Sequence, residues 1–311
     1  MRKNEIVGVK PFNGFHYKSC YYHQLISGLA CFGIAKENIL LNSFGEIQAG
    51  FEYNGEEYFS EKQLEKALGY KNIKCSLDKK ALIKYIDKGE PLIVGVDCFY
   101  LESRTDSYQL QHIPHFILAY GYDLDRNEAK VIDHNYFNSY EFMEKVISLD
   151  NLLYASYMFK RGVLNRKYPC RRLKRRKEVK TFHIWDYIGE KRIIENRNYA
   201  IENLKSLQEL VLAEQDELKE KAEKICSYLE KLKGLYFSIT KIYVFSEEEK
   251  QRESMERLVS GYSNLVSLFW KMKAQNDYTY AKKRKDAIFR KIEEMKGYEK
   301  IVCEGLLEVI K

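Results

Sequence analysis

From Tyr22 onward the apolar positions fall at Tyr22, Leu25, Ile26, Leu29 and Phe32, the three-and-four spacing of one buried helix face. The pattern predicts a helix that opens at Cys20 and stops at Gly33. A Gly-containing, strand-like stretch follows over residues 39–59. Ser60 with Gln63 has the form of a capping box opening a second helix. A third runs over Lys79–Lys88, closed by Gly89 and Pro91. The period then changes, and "PLIVGVDCFYL", "HFILAYGYD" and "AKVIDHNY" are apolar runs of strand length. The first is nearly continuous, as a central strand buried on both faces requires. The polar "LDRNE" joins the second to the third as a hairpin.

Beyond Ile193 the helical period returns and holds to the end. Leu204, Leu207, Val211, Leu218, Ala222, Ile225, Leu229 and Leu232 keep the pattern. Ser246 with Glu249 reads as another capping box, followed by Met255, Leu258, Tyr262, Leu265, Phe269 and Met272. Ile288, Ile292, Met295, Val302, Leu306 and Val309 close the series. Three long amphipathic helices with short connections predict an antiparallel bundle. The expectation is therefore an α+β chain: a mixed α/β domain over residues 1–160, a linker over 161–190, and an all-α helical bundle over 191–311. At 311 residues there is enough chain for two cores.

Charge sharpens the linker. Lys160 to Lys177 holds ten Lys or Arg and no acid, against a net charge of +7 for the whole chain. The remainder is thus mildly acidic, and the basicity is one segment. A solvated linker is the first reading, a docking patch for an acidic carrier protein the second, and nucleic acid the last, since no recognition motif accompanies the charge. The N-terminal residues lack the apolar run of a signal peptide, and no stretch reaches 18 uninterrupted apolar residues, so a cytoplasmic protein without membrane contact is expected. The helical bundle is the expected place for a homodimer contact. The seven scattered cysteines form no C-x-x-C pair, which argues against a disulfide framework and a structural zinc. Cys20, His112, His115 and Asp133 contain no compact ligand pair, so neither a metal nor a resident cofactor is expected.

The candidate chemistry lies in the first half. A thiol at a helix N-terminus meets unpaired N–H groups and the positive end of the dipole, which favour thiolate. His115 opens one strand of the hairpin and Asp133 lies near the end of the other. A turn near Leu124–Asp125 makes them cross-strand neighbours. A carboxylate that orients an imidazole, and an imidazole that takes a thiol proton, are what a cysteine nucleophile needs. Asp97, inside an apolar strand, is a further polar candidate. Spacing alone leaves open the reading in which Cys20 is core, His115 ends a strand and Asp133 starts a turn.

The stretch from Cys20 to Gly33, and the block "GEPLIVGVDCFYLESRTDSYQLQHIPHFILAYGYDLDRNEAKVIDH" over residues 89–134, resemble the butirosin biosynthesis protein H N-terminal family. The resemblance spans roughly residues 15–160. It implies a papain-like, cysteine-peptidase-type fold, with Cys20 as nucleophile, His115 as base and Asp133 as carboxylate. It further implies transfer of an acyl group from a carrier-protein thioester to an amine, so that an amide forms in natural-product biosynthesis. The donor would be an acyl or peptidyl carrier protein with a phosphopantetheine-tethered substrate, docking through residues 160–177. A papain-like cysteine peptidase and a non-catalytic binding protein are the alternatives on the same fold. The papain group supplies an oxyanion-hole Gln about six residues before the nucleophile; here that position is Gly14, with Asn13 the nearest amide, and Asp97 the other supporting candidate. Water must be excluded for transfer to beat hydrolysis, and Phe99, Tyr100, Tyr120, Tyr122 and Tyr136 are the aromatic candidates for that wall.

Overall fold

A computed structural model of the protein describes residues 2–13, 19–55, 57–134, 141–162, 169–176, 182–213, 215–243 and 249–310. The chain begins with β1 (Lys3–Glu5), α1 (Cys20–Leu29), α2 (Glu37–Leu40), β2 (Glu46–Gln48) and β3 (Glu52–Asn54). It continues through α3 (Glu61–Ala67), β4 (Tyr70–Cys75), α4 (Lys79–Ile86), β5 (Leu92–Asp97), β6 (Pro114–Asp123), β7 (Glu128–His134) and β8 (Phe142–Ser148). Then come α5 (Leu149–Arg161), β9 (Cys170–Arg175), α6 (Trp185–Leu212), α7 (Gln215–Tyr243), α8 (Glu249–Gln275), α9 (Thr279–Lys283) and α10 (Lys285–Ile310). The fold is α+β and divides into two compact units: Met1–Lys36 with Phe59–Phe182, and Glu37–Tyr58 with His183–Lys311.

The first unit is built on an antiparallel sheet in the order β4-β9-β5-β6-β7-β8, with β1 also pairing β6. Every residue of β5 is buried, as its unbroken apolar run demands, and the strand lies between β9 and β6. The β6–β7 hairpin forms where "LDRNE" predicts it. Asp123 Oδ1 accepts the N–H of Asp125 at 3.0 Å and of Arg126 at 3.2 Å, an Asx-type turn, and Asn127 takes the left-handed conformation at φ 55°. Helices α3, α4 and α5 start at side-chain caps. Ser60 and Gln63 form the expected capping box, Asp78 accepts from Ala81 N–H at 2.7 Å at the head of α4, and Ser148 from Asn151 N–H at 3.2 Å at the head of α5. α1 runs to Leu29, tightens into a 3-10 turn over Ala30–Phe32, and is stopped by Gly33 at φ 70°. It packs on the sheet through Gly28, where a Cβ would stand 2.5 Å from Leu173 Cδ1.

Two expectations about the boundaries change. The segment 161–190, read as a linker, contains β9, which hydrogen-bonds between β4 and β5. Cys170 and Leu173, three residues apart and so on opposite faces of the strand, are both buried, Arg171 and Arg172 are half-buried, and only Lys174 and Arg175 are exposed. Residues 163–168 and 177–181 of that segment, with Lys177, lie outside the described residues. The strand-like stretch 39–59 does form strands, β2 and β3, but they belong to the helical unit. The N–H of Ile47 donates to Asn196 Oδ1 at 3.0 Å and that of Phe51 to Asn203 Oδ1 at 3.1 Å, so two buried Asn side chains of α6 hold the hairpin.

In the helical unit α6 packs on α10, α7 on α8, and α8 on α10. The periodic positions fill its core: Leu204, Leu207, Ile225, Leu229, Leu258, Phe269, Ile292 and Met295 are all buried. Ser246 and the side chain of Val309 lie outside the described residues. Tyr236 of α7 and Tyr262 of α8 each donate a hydrogen bond of 2.5 Å to the buried carboxyl of Glu299 in α10. Burial pushes that carboxyl up to about 7, against the pull of the two hydroxyls. Among the described residues no helix is long and apolar enough to cross a membrane.

Candidate active site

Cys20 occupies the first turn of α1, behind Ser19, whose side chain makes no cap hydrogen bond and leaves the helix's leading N–H groups to other acceptors. Gln24, one turn further on, donates from Nε2 to the Phe116 carbonyl at 3.2 Å and ties α1 to β6 beside His115. Cys20 is only partly buried, whereas Cys75, Cys98, Cys170, Cys226 and Cys303 are buried.

The hairpin delivers His115 to Asp133. Leu118 pairs with Ile132, so Ile117 stands opposite Asp133 by extension, and His115 is the diagonal neighbour two residues along. A bulge between Ala119 and Gly121 sets that register. His115 Nε2 donates to Asp133 Oδ1 at 2.7 Å, and both side chains are almost fully buried. The other ring nitrogen is left for Cys20, with which His115 interacts by charge and by hydrogen bond. The structure thus brings together the three residues singled out from the sequence.

The electrostatics of the three are coupled. Burial works against ionisation of the Cys20 thiol, but the His115 charge and hydrogen bond, with the N–H groups of Phe116 and Tyr21, hold it below the ordinary thiol value. Burial likewise disfavours the charged imidazole, yet Cys20 and Asp133 push His115 up to about 9. Asp133 is desolvated too, and His115, Lys145 and His134 nonetheless keep its carboxyl below the usual range. Each partner thus favours the charged form of the other, thiolate on Cys20 and imidazolium on His115. By contrast, burial pushes Cys31 and Cys98 up to about 12. Cys75 is held low by a thiol, Cys170, across the β4–β9 ladder, inside the core.

The supporting candidates fall elsewhere. Both ends of the Asn13 amide are taken by one backbone residue: Nδ2 donates to Phe142 O at 3.1 Å, and Oδ1 accepts Phe142 N–H at 2.6 Å. Asn13 thus fastens the start of β8. Gly14 lies outside the described residues. Asp97 caps a 3-10 turn by accepting Phe99 N–H at 3.1 Å and holds His112 Nδ1 at 2.7 Å. Phe99 and Tyr100 surround His112, Tyr122 donates to Asp87 at 2.7 Å, and Tyr136 is outside the described residues. The rings stacked onto the site are different ones: His134 on His115 at 4.3 Å, Phe142 on His134 at 5.2 Å, and His23 on Phe142 at 4.5 Å.

Sequence reasoning passed over Arg104 and Lys145. Arg104 is fully buried, donates from Nη1 to His134 Nε2 at 2.8 Å, and grips Asp106 with Nε and Nη2 at 3.0 and 2.9 Å. Lys145 Nζ stands 3.6 Å from Asp133 Oδ2 and donates to the His134 carbonyl at 2.8 Å. Arg104 sits in a polar loop without a pattern of its own, and Lys145 is one of two charged residues between the apolar positions of β8. His115, Asp133 and His134 have ligand atoms within 4.8 Å of one another. The Arg104 guanidinium occupies the His134 nitrogen and the Lys145 ammonium faces Asp133, so a metal ion would meet two fixed cations.

An antiparallel sheet that presents His and Asp to a thiol at a helix start defines an α+β protein with a candidate Cys-His-Asp centre. Residues 52–134 match the family model described as Butirosin biosynthesis protein H, N-terminal. The match covers just over a quarter of the chain and bears out the resemblance there. It contains Asp97, Arg104, His115 and Asp133, and begins after the Cys20 helix. No curated protein matches the chain.

Proposed function

We propose that the chain is a cysteine-dependent acyltransferase of natural-product biosynthesis, moving an acyl group from a carrier-protein thioester to an amine. The observation that carries the reading is the contact of a lowered-pKa, partly accessible Cys20 with the buried His115–Asp133 pair. The match to the butirosin biosynthesis family over the His and Asp supports the biosynthetic setting.

In the proposed cycle the Cys20 thiolate attacks the thioester carbonyl. The tetrahedral oxyanion collapses, the bond to the donor sulfur breaks, and the departing thiol takes the His115 proton. A neutral amine then attacks the acyl-enzyme, His115 accepts its proton, and the Cys20–carbonyl bond breaks. Amide leaves, and thiolate with imidazolium is restored. Asp133 stabilises the imidazolium and fixes its tautomer throughout. A thioester suits this nucleophile because exchanging one thiol for another is nearly isoenergetic, and aminolysis makes the stable product. No resident cofactor or metal enters the cycle. Residues 160–177 are the proposed docking segment for an acidic carrier protein; Lys174 and Arg175 on β9 are exposed there. The helical unit is the proposed site of self-association, and the reaction is placed in the cytoplasm.

The test is intact mass spectrometry after incubation with a panel of acyl thioesters, comparing wild type with Cys20→Ala. Acyl adducts on the wild type alone, transferred to added amines, are the expected result. Adducts lost to water at the same rate with or without amine indicate hydrolysis instead. No adduct from any thioester, with Cys20 no more reactive toward alkylation than the other six cysteines, overturns the reading in favour of a binding protein.

A further inference from the structure

Two imidazoles crowd one carboxylate in this site. The His115 and His134 rings lie 4.3 Å apart, and Asp133 Oδ1 accepts both the His115 Nε2–H, at 2.7 Å, and the His134 backbone N–H, at 2.8 Å. Either ring would gain from protonation beside Asp133, and two imidazolium ions at that separation would repel. The relay of the proposed function, on which this inference rests, needs the proton on His115 alone.

We infer that Arg104 is a positioning residue that reserves the proton for His115 by holding His134 as a neutral imidazole. A guanidinium has only donors. At 2.8 Å from Arg104 Nη1, His134 Nε2 therefore presents a lone pair, and the ring carries its single proton on Nδ1. Protonating His134 means breaking that bond and setting a cation against a cation. The guanidinium is not free to yield, because it is fully buried and its other edge is clamped by both oxygens of Asp106.

The charges facing His134 from each packed element agree. Arg104 and Asp106 come from the loop after β5, His115 from β6, Asp133 from β7 itself, and Lys145 from β8, bonded to the His134 carbonyl. Cys20 of α1 lies behind His115. On its other face His134 stacks on Phe142, which His23 covers. Among the described residues, the cations Arg104, Lys145 and His115 are matched by the anions Asp106, Asp133 and Cys20, provided that His134 stays neutral. The device also accounts for the burial of an arginine that no substrate would reach.

The test uses the whole chain with nitrogen-15-labelled histidine. In the wild type His134 is expected as the Nδ1–H tautomer, without titration between about pH 5 and 9. In Arg104→Met, His134 gains an ordinary titration near about 6.5, and Cys20 acylation by a simple acyl thioester falls about tenfold below that pH as the second imidazolium competes for Asp133. Adding His134→Phe to Arg104→Met restores the acylation profile, which a merely structural role of Arg104 would not allow. Arg104→Lys, with charge and one donor kept, restores it in part. A wild-type His134 that titrates, or that carries its proton on Nε2, overturns the inference even if Arg104→Met does not fold. So does a double variant as impaired as the single one. The tautomer is read without substrate, so absence of any acyl adduct on the wild type would sink the acyltransferase reading and leave this one standing.

Discussion

Replacing Cys20 by Ala tests the electrostatics of the site without any assumption about the substrate. His115 lies at about 9 in the folded protein, against about 6.5 for an unperturbed imidazole. The difference corresponds to roughly 3 kcal/mol of preference for imidazolium, at about 1.4 kcal/mol per unit. Burial opposes that preference, so Cys20 and Asp133 supply more than the net figure between them, with the Cys20 charge the largest favourable contribution. Removing the thiolate leaves the burial and only Asp133 to offset it, and His115 is expected to fall by about two units toward its ordinary value. The sign for stability follows. The raised imidazole alone stabilises the fold below about 6.5 and loses that contribution as pH rises through about 9, while the lowered Cys20 thiol contributes in the opposite sense over the same range. The two trade one proton, so stability should stay nearly flat across that window in the wild type as in Cys20→Ala. The assay is histidine NMR titration across the window, with chemical denaturation at each pH. A His115 that still titrates near 9 in Cys20→Ala, or that titrates near 6.5 in the wild type, would refute the ion-pair argument.

Two further outcomes follow from the packing. Gly28→Val places side-chain carbon where Leu173 Cδ1 already stands 2.5 Å from the Cβ position; a loss of about 1–3 kcal/mol is expected from overpacking, read by urea denaturation, together with weaker Cys20 alkylation as α1 lifts. Glu299, raised to about 7 by burial, stabilises the helical unit most below about 4.5 and loses up to about 3 kcal/mol as pH rises through 7. Glu299→Gln should flatten that dependence, and an unchanged pH profile in denaturation would contradict it.

The cluster of Cys20, His115 and Asp133 was legible in part from local pattern, a Cys at a helix start, a His opening an apolar strand and an Asp near the end of its hairpin mate, while their roles came only with the family resemblance. What the pattern could not carry was register. The bulge at Ala119–Gly121 shifts the register by one residue, so that Asp133 stands opposite Ile117, on the face that carries His115, instead of opposite Leu118, and nothing in "HFILAYGYD" marks that shift. Arg104 was illegible for a different reason. Its burial is decided by Asp106, His134 and the loop that closes over them, contacts that no sequence period encodes. In β9 the cationic density concealed a two-residue apolar signal, Cys170 and Leu173, sufficient for a strand only because β4 and β5 flank it. The helical unit was read for its period, since a long amphipathic repeat averages over many residues, but not for its breaks: the series Leu204–Leu232, read as one of three long helices, is divided between α6 and α7. Its hairpin was placed in the wrong unit because the Asn residues that hold it lie far along the chain.

That hairpin has a consequence for how the chain is made. The N–H groups of Ile47 and Phe51 wait for Asn partners 149 and 152 residues later. During synthesis residues 37–58 therefore emerge long before α6 exists to receive them. A nascent chain of this protein carries a bare two-stranded edge through about half of its translation, so its vulnerability to mispairing is set by elongation time as much as by final stability. A fragment cut after α5 would inherit that exposed hairpin permanently.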